Sequence, residues 1–193
     1  MHQQLISVND AAAPDQMSDD AGSRPMDRTS PEPLALERFL PYRLNVLAST
    51  VSNALARIYA ERFGITIPQW RIVATLGQFE TRTARDIAAH AVMHKSTVSR
   101  AVAALAERGI VERRPNAQDM REELLALTDE GRAIYEAVAP EALAFERAVV
   151  SGLTEGERET FFRLIDTLDA RMRSLVPDLD VADAAANASE ASR

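Results

Sequence analysis

Between residues 40 and 175 apolar positions recur at helical intervals, and the gaps between runs carry residues that stop and start helices. Leu44, Leu47, Val51, Leu55 and Ile58 share one face of a helix predicted over 41–63, which Gly64 ends. A second helix is predicted over 68–79, opened by Pro68. Trp70, Val73 and Ala74 lie on one side of it and Ile72, Leu76 and Phe79 on another, the pattern of a helix buried all round. Thr83 can cap a short third helix ending near His90, and Ala91-Val92-Met93 turns the chain. A fourth helix over 95–108 places Val98, Ala101, Val102 and Leu105 inward and Ser96, Arg100, Ala103 and Glu107 outward, and Gly109 stops it.

Residues 110–114 then read as a strand, 115–120 as a loop and 123–127 as the returning strand. Thr128 followed by Asp129 and Glu130 starts a helix reaching about residue 150, and Pro140 is expected to kink or split it. Thr154-Glu155-Gly156-Glu157 fits a capping box. The last helix carries Phe161, Leu164, Ile165, Leu168, Met172 and Leu175 on one face. Residues 1–36 and 177–193 show little periodicity and are rich in Asp, Ser, Pro and Ala, so both read as disordered tails.

Composition narrows the chemistry. The 193 residues suffice for one core, and the absence of cysteine excludes disulfides, thiolate metal sites and thiol switches. No apolar run reaches the ~18 residues of a membrane span, and residues 1–10 lack the form of a signal peptide. A soluble, cytoplasmic protein with no membrane partner is the expectation.

Charge changes the picture more. The net −7 sits in the tails: residues 1–36 carry six acids against two arginines, and 177–193 four acids against one arginine. Residues 82–121 carry eight bases against four acids, a balance of +4. An acidic chain with one basic segment can bind DNA through that segment.

The basic segment contains a helix, a turn and a second helix, backed by the buried helix over 68–79. This order forms a rigid reading head. Ser96, Ser99 and Ala103 are small enough to let the fourth helix approach base edges, and Arg100, central on its outer face, can fork to guanine O6 and N7. Lys95, the sole lysine, and Thr97 suit phosphate contacts near the helix start, whose own N-terminus also favours a phosphate. An amphipathic helix with an ordinary solvated face would look similar. The hairpin argues against that reading, because Arg113, Arg114 and Arg121 gather on one turn where like charges repel. Asp119 is placed to hold the Arg121 guanidinium by a paired hydrogen bond, as a minor-groove arginine requires.

These segments resemble the MarR family of regulators. The resemblance is carried by IPQWRIVATL, TARDIAAHAVMHKSTVSRAVAALAERGIVERR, the DMR of the loop, LLALTDEGRAIY and LTEGERETFFRLIDTL, and covers about seven-tenths of the chain, 40–175. It implies a mainly α fold with a small β-hairpin wing: a winged helix-turn-helix over 67–127 between long dimerisation helices over 37–66 and 128–176. It further implies an obligate homodimer on double-stranded DNA, repression of nearby genes, and relief by a small-molecule effector. Lys95 to Arg100 fall on the family's recognition helix, and Asp119 and Arg121 on its wing aspartate and minor-groove arginine. Two positions depart from its pattern: His94 stands where Asp or Ser is common, and Met120 where a second wing arginine is common.

Other constellations weigh less. His90 and His94 are four apart, but turn residues lie between them and no third ligand is near, so no metal site follows. No phosphate loop and no paired nucleophile and histidine occur, which leaves neither an enzyme nor a cofactor to expect. Tyr42, Asn45, Ser49, Ser52, Trp70 and Arg71 are candidates for an effector pocket, with ordinary helix surface as the competing reading. The wording of the first helix is similar to regulators of aromatic-acid catabolism, which implies an aromatic acid or its CoA thioester as effector. The rival functions are a winged-helix protein-interaction module without DNA, and an activator of the same fold.

Overall fold

The computed structural model describes residues 33–117 and 119–176; both predicted tails lie largely outside them. After a short 3-10 turn at Leu36–Arg38, the order is α1 (Leu40–Phe63), α2 (Ile67–Phe79), β1 (Thr81–Thr83), α3 (Ala84–His90), α4 (Lys95–Glu107), β2 (Val111–Pro115), β3 (Glu123–Leu127), α5 (Asp129–Val150) and α6 (Glu155–Leu175). Among the described residues, no helix is long and apolar enough to cross a membrane.

Local chemistry sets the boundaries. Gly64 ends α1 in the left-handed region at φ 60°. Thr66 and Gln69 form a reciprocal capping box at α2, as Thr83 and Asp86 do at α3 and Thr154 and Glu157 at α6. The bonds from Thr154 also hold the Glu157 carboxyl below its usual range. The Thr128 hydroxyl accepts from Gly131 N–H at 3.1 Å and donates to the Gly109 carbonyl at 2.6 Å, locking the start of α5 to the approach to β2.

Two features refine the expectations. The hairpin is not alone: β1 pairs with β3 on the side opposite β2, giving a three-stranded antiparallel sheet of order β1-β3-β2. Pro140 does not split α5, which runs unbroken to Val150. Both Pro140 and Glu136, whose carbonyl loses its helical donor, are exposed, so water can serve that carbonyl.

The core lies between α2, α4, the sheet and the first turns of α5. Ile72, Val73, Leu76, Ile87, Val98, Leu105, Ile110, Leu125 and Val138 are fully buried in it. Trp70 is stacked between Tyr59 of α1 (centroids 5.3 Å apart) and Tyr135 of α5 (6.5 Å). Burial pushes the Tyr59 hydroxyl above its usual pKa, and the Arg71 charge pulls it part of the way back. Gly77 makes room for the Tyr135 ring, which a Cβ there would meet at 2.4 Å.

The core leaves two apolar surfaces uncovered. Every residue of α6 is exposed, including Phe161, Leu164, Ile165, Leu168, Met172 and Leu175. The start of α1 is equally bare at Leu40, Leu44 and Leu47. Within one chain these faces are not core.

Candidate nucleic-acid interface

The turn from α3 to α4 places the reading helix. Met93 N–H donates to the Ala88 carbonyl at 2.9 Å, and Val92 takes a left-handed φ of 50° to bring the chain round. Val98, Ala101, Val102 and Leu105 seat α4 on the core. Its other face shows Lys95, Ser96, Ser99, Arg100 and Ala103 to solvent, with Thr97 half-buried. Arg100 Nε donates to the Ser96 carbonyl at 3.3 Å, which steadies the side chain along its own helix and leaves the two Nη groups without a hydrogen bond among the described residues. His94 occupies the N-cap without a side-chain capping bond, so it satisfies none of the first N–H groups of α4 in that way.

The wing is less basic than its arginines suggest. Across the hairpin, Arg113 pairs with Glu123 at 2.6 Å. Along β2, Arg114 Nε donates to Glu112 at 2.8 Å. Counting Glu122 and Glu123, which adjoin the 82–121 stretch, lowers its balance from +4 to +2. Elsewhere Arg82 lies over the Phe79 ring at 4.3 Å, and Arg108 donates to backbone carbonyls at the end of α1. Arg85, Lys95, Arg100 and Arg121 have no carboxylate partner among the described residues.

Asp119 acts differently from expectation. Its Oδ1 accepts from the backbone N–H of Arg121 at 2.9 Å, and its carbonyl accepts from Glu122 N–H at 3.1 Å. It shapes the turn that presents Arg121 and forms no ion pair with that guanidinium.

A cleft of about 240 Å³ opens between the start of α3, α4 and the wing. Arg85, Ser99, Arg113 and Arg121 line it, together with Glu122 and Glu123. Arg85 is the residue that sequence reasoning passed over; its signal is its place two residues after the Thr83 cap, in an exposed first turn.

A buried α2, the α3–α4 pair and a wing beside the reading helix together make a winged helix-turn-helix. Residues 63–122, from the end of α1 to the wing, match the MarR family. Over this stretch the chain is similar to the MarR family. It is 29% identical over 129 residues to the uncharacterized HTH-type transcriptional regulator YwoH of Bacillus subtilis, a span of 67% of this chain and 93% of that protein. A MarR/EmrR family transcriptional regulator from Acinetobacter sp. ADP1 shares the fold with a TM-score of 0.67 and 25% identity, over 73% of this chain and 99% of that one. NadR, solved in complex with 4-hydroxyphenylacetate, has a TM-score of 0.61 and 24% identity, over 72% and 96%. The NadR likeness concerns the fold alone. The relatives and neighbours that the chain matches are named transcriptional regulators.

The effector candidates do not converge within one copy. Trp70 and Arg71 border a shallow concavity with Ala74, Thr75, Gln78, His90 and Ala91. Trp70 is 7% exposed, its rings stacked with the two tyrosines. Tyr42 borders a different concavity on α1 with Leu40, Arg43, Leu44, Val46, Leu47 and Thr50. Asn45 and Ser49 are exposed on α1 and line neither. His90 ends α3 with its ring edge-on to Phe79 at 5.0 Å, and His94 caps α4, so the two do not sit one turn apart on a helix.

Proposed function

We propose that this MarR-family regulator is a repressor that binds a pseudo-palindromic operator as a homodimer and is released by a small aromatic acid or a related compound. The observation that carries the DNA-reading assignment is the outer face of α4. Ser96, Ser99, Arg100 and Ala103 stand exposed on it, beside a wing whose Arg121 has no carboxylate partner among the described residues. Arg100 reads a guanine edge with its two Nη groups. Arg121 enters the adjacent minor groove, on a turn that Asp119 shapes. Lys95, Thr97 and the start of α4 hold phosphates. Arg113 and Arg114 serve mainly the wing's own structure through Glu123 and Glu112.

Dimerisation is supported by the bare apolar faces of α1 and α6, which amount to two helical stripes left in water. A two-fold pair would cover both and set two reading helices about one DNA turn apart. The effector reading draws on the concavity beside Trp70 and Arg71, whose cation suits a carboxylate, and on the aromatic acid bound by NadR.

The test is a mobility-shift assay on the DNA upstream of the protein's own gene, with wild type, Arg100→Ala and Arg121→Ala, alongside sedimentation equilibrium. Arg100→Ala is expected to cost about 1–3 kcal/mol and to relax preference at one base pair. If neither variant weakens binding, the base-reading and wing assignments fail. A wild-type monomer at micromolar concentration refutes the dimer. A reporter gene behind the same DNA separates repressor from activator.

A further inference from the structure

Arg108 is counted among the bases of the DNA-facing segment, yet its charge is used elsewhere. It is the C-cap residue of α4, immediately before Gly109 turns the chain. Its Nη2 donates to the Phe63 carbonyl at 2.6 Å and its Nη1 to the Gly64 carbonyl at 3.0 Å. Those carbonyls close the C-terminus of α1, a helix of 24 residues. The final carbonyls of a helix lack intrahelical donors and carry the negative end of its dipole, so a forked cation there is held by both geometry and charge. Two oxygens on consecutive residues match the fork of a guanidinium; an ammonium point charge cannot serve both in the same way.

The contact matters because of what it joins. Beyond the 3-10 turn that precedes it, α1 packs on α5 and α2. Among the described side-chain hydrogen bonds, the two from Arg108 are those that tie α1 directly to the reading helix. On its other side, Arg62 in the last turn of α1 reaches Glu141 of α5 at 2.9 Å. The end of α1 is therefore pinned between α4 and α5, while its start lies bare of the core. At 1.5 Å per residue α1 is a rigid arm about 36 Å long. A small change of angle at the pinned end becomes a displacement of several ångströms at the other.

We propose that Arg108 is a positioning residue that fixes the angle of the recognition helix against α1, and through it the separation of the two reading heads. This inference rests on the DNA-binding homodimer proposed above. It assigns Arg108 no contact with DNA.

The experiment uses full-length protein and DNA selected by the wild type from a random-sequence pool. From the selected sequence, operators are built with the half-sites at their chosen separation and moved one base pair closer or further apart. Affinities are measured by fluorescence anisotropy for wild type, Arg108→Ala, Arg108→Lys and Arg100→Ala. Wild type is expected to prefer its own spacing. Arg108→Ala should weaken binding at that spacing about tenfold, the scale of losing a charged hydrogen-bond pair. It should also flatten the preference among spacings, with Arg108→Lys in between. Arg100→Ala should weaken all spacings alike and leave the preference intact. An unchanged spacing preference in Arg108→Ala overturns the proposal, however much affinity falls. Should Arg108→Ala fail to fold by circular dichroism, Arg108→Lys takes its place, and an unchanged preference in that variant overturns the proposal equally. A wild type that selects no DNA, or only single half-sites, refutes the underlying operator-binding dimer and this inference with it.

Discussion

Replacing Asp119 by Ala and by Asn distinguishes two accounts of the wing. If the aspartate steadies the Arg121 guanidinium by charge, Asn must fail as badly as Ala. The structure has Asp119 Oδ1 accepting from the Arg121 backbone N–H at 2.9 Å, a bond that an Asn oxygen can also accept. The turn is exposed, so neither change should move global stability by more than about 0.5 kcal/mol. Loss appears instead when the wing docks. A freed turn residue must then be ordered, at about 1–2 kcal/mol for one backbone position. Asp119→Ala is therefore expected to weaken operator binding about tenfold per wing. Asp119→Asn removes the same negative charge beside the DNA but keeps the turn. It should bind within about threefold of wild type, since an exposed charge is largely screened at physiological salt. Anisotropy titrations across a salt series make the comparison internally controlled. Both variants lose one anion, so charge alone shifts them together, and any gap between them at fixed salt measures the turn. Equal losses in the two variants would refute the backbone account and restore a guanidinium pair.

Two further predictions concern the backbone. Val92 is a β-branched residue at φ 50°, a conformation costing about 1–2 kcal/mol for a residue with a Cβ. Val92→Gly relieves that strain but adds about 0.5–1 kcal/mol of chain entropy to be lost on folding. The two nearly cancel, so a change in melting temperature of only a few degrees is expected, and a large fall would show that Val92 packing outweighs the strain. At Gly131 a Cβ would lie 2.1 Å from the Ile110 carbonyl oxygen, which is backbone and cannot swing aside. Gly131→Ala should cost at least about 2 kcal/mol in urea unfolding, whereas Gly152→Ala, with nothing within 4 Å, should stay within about 0.5 kcal/mol. Similar unfolding midpoints for the two would refute the close approach.

Legible in the sequence was whatever is local. The caps at Thr83, Thr128 and Thr154 act three residues along the chain, and the inward face of α4 repeats every three or four. The hairpin strands, β2 and β3, appeared within a residue of prediction. β1 did not, because three residues of Thr-Arg-Thr have no pattern of their own. They become a strand by pairing with 124–126, some forty residues later. The same limit hid the fate of the arginines. Register sets Arg113 near Glu123, and folding brings Arg108 to Gly64, 44 residues away. The effector candidates failed to converge for a related reason. Tyr42, Asn45 and Ser49 lie on a stretch of α1 that the chain itself leaves uncovered, so one copy sets no element against them.

That limit has a measurable consequence for DNA. Counted as independent charges, eight bases between 82 and 121 face the duplex in each copy. In the fold, Arg113 and Arg114 are paired, Arg108 is bound to α1 carbonyls and Arg82 lies over Phe79. Four cations remain per copy: Arg85, Lys95, Arg100 and Arg121. Each phosphate neutralised contributes about −0.9 to the slope of log affinity against log salt, so two copies with four cations each bound the slope at about −7, and two with eight at about −14. Anisotropy titrations of the wild type on its selected operator, from low to physiological salt, decide between these counts. A slope well beyond about −7 would mean that the wing pairs open on the duplex and lend Arg113 and Arg114 to it. The pairs seen across and along the hairpin would then belong to the free protein alone. A slope no steeper than that bound places recognition on Arg85, Lys95, Arg100 and Arg121.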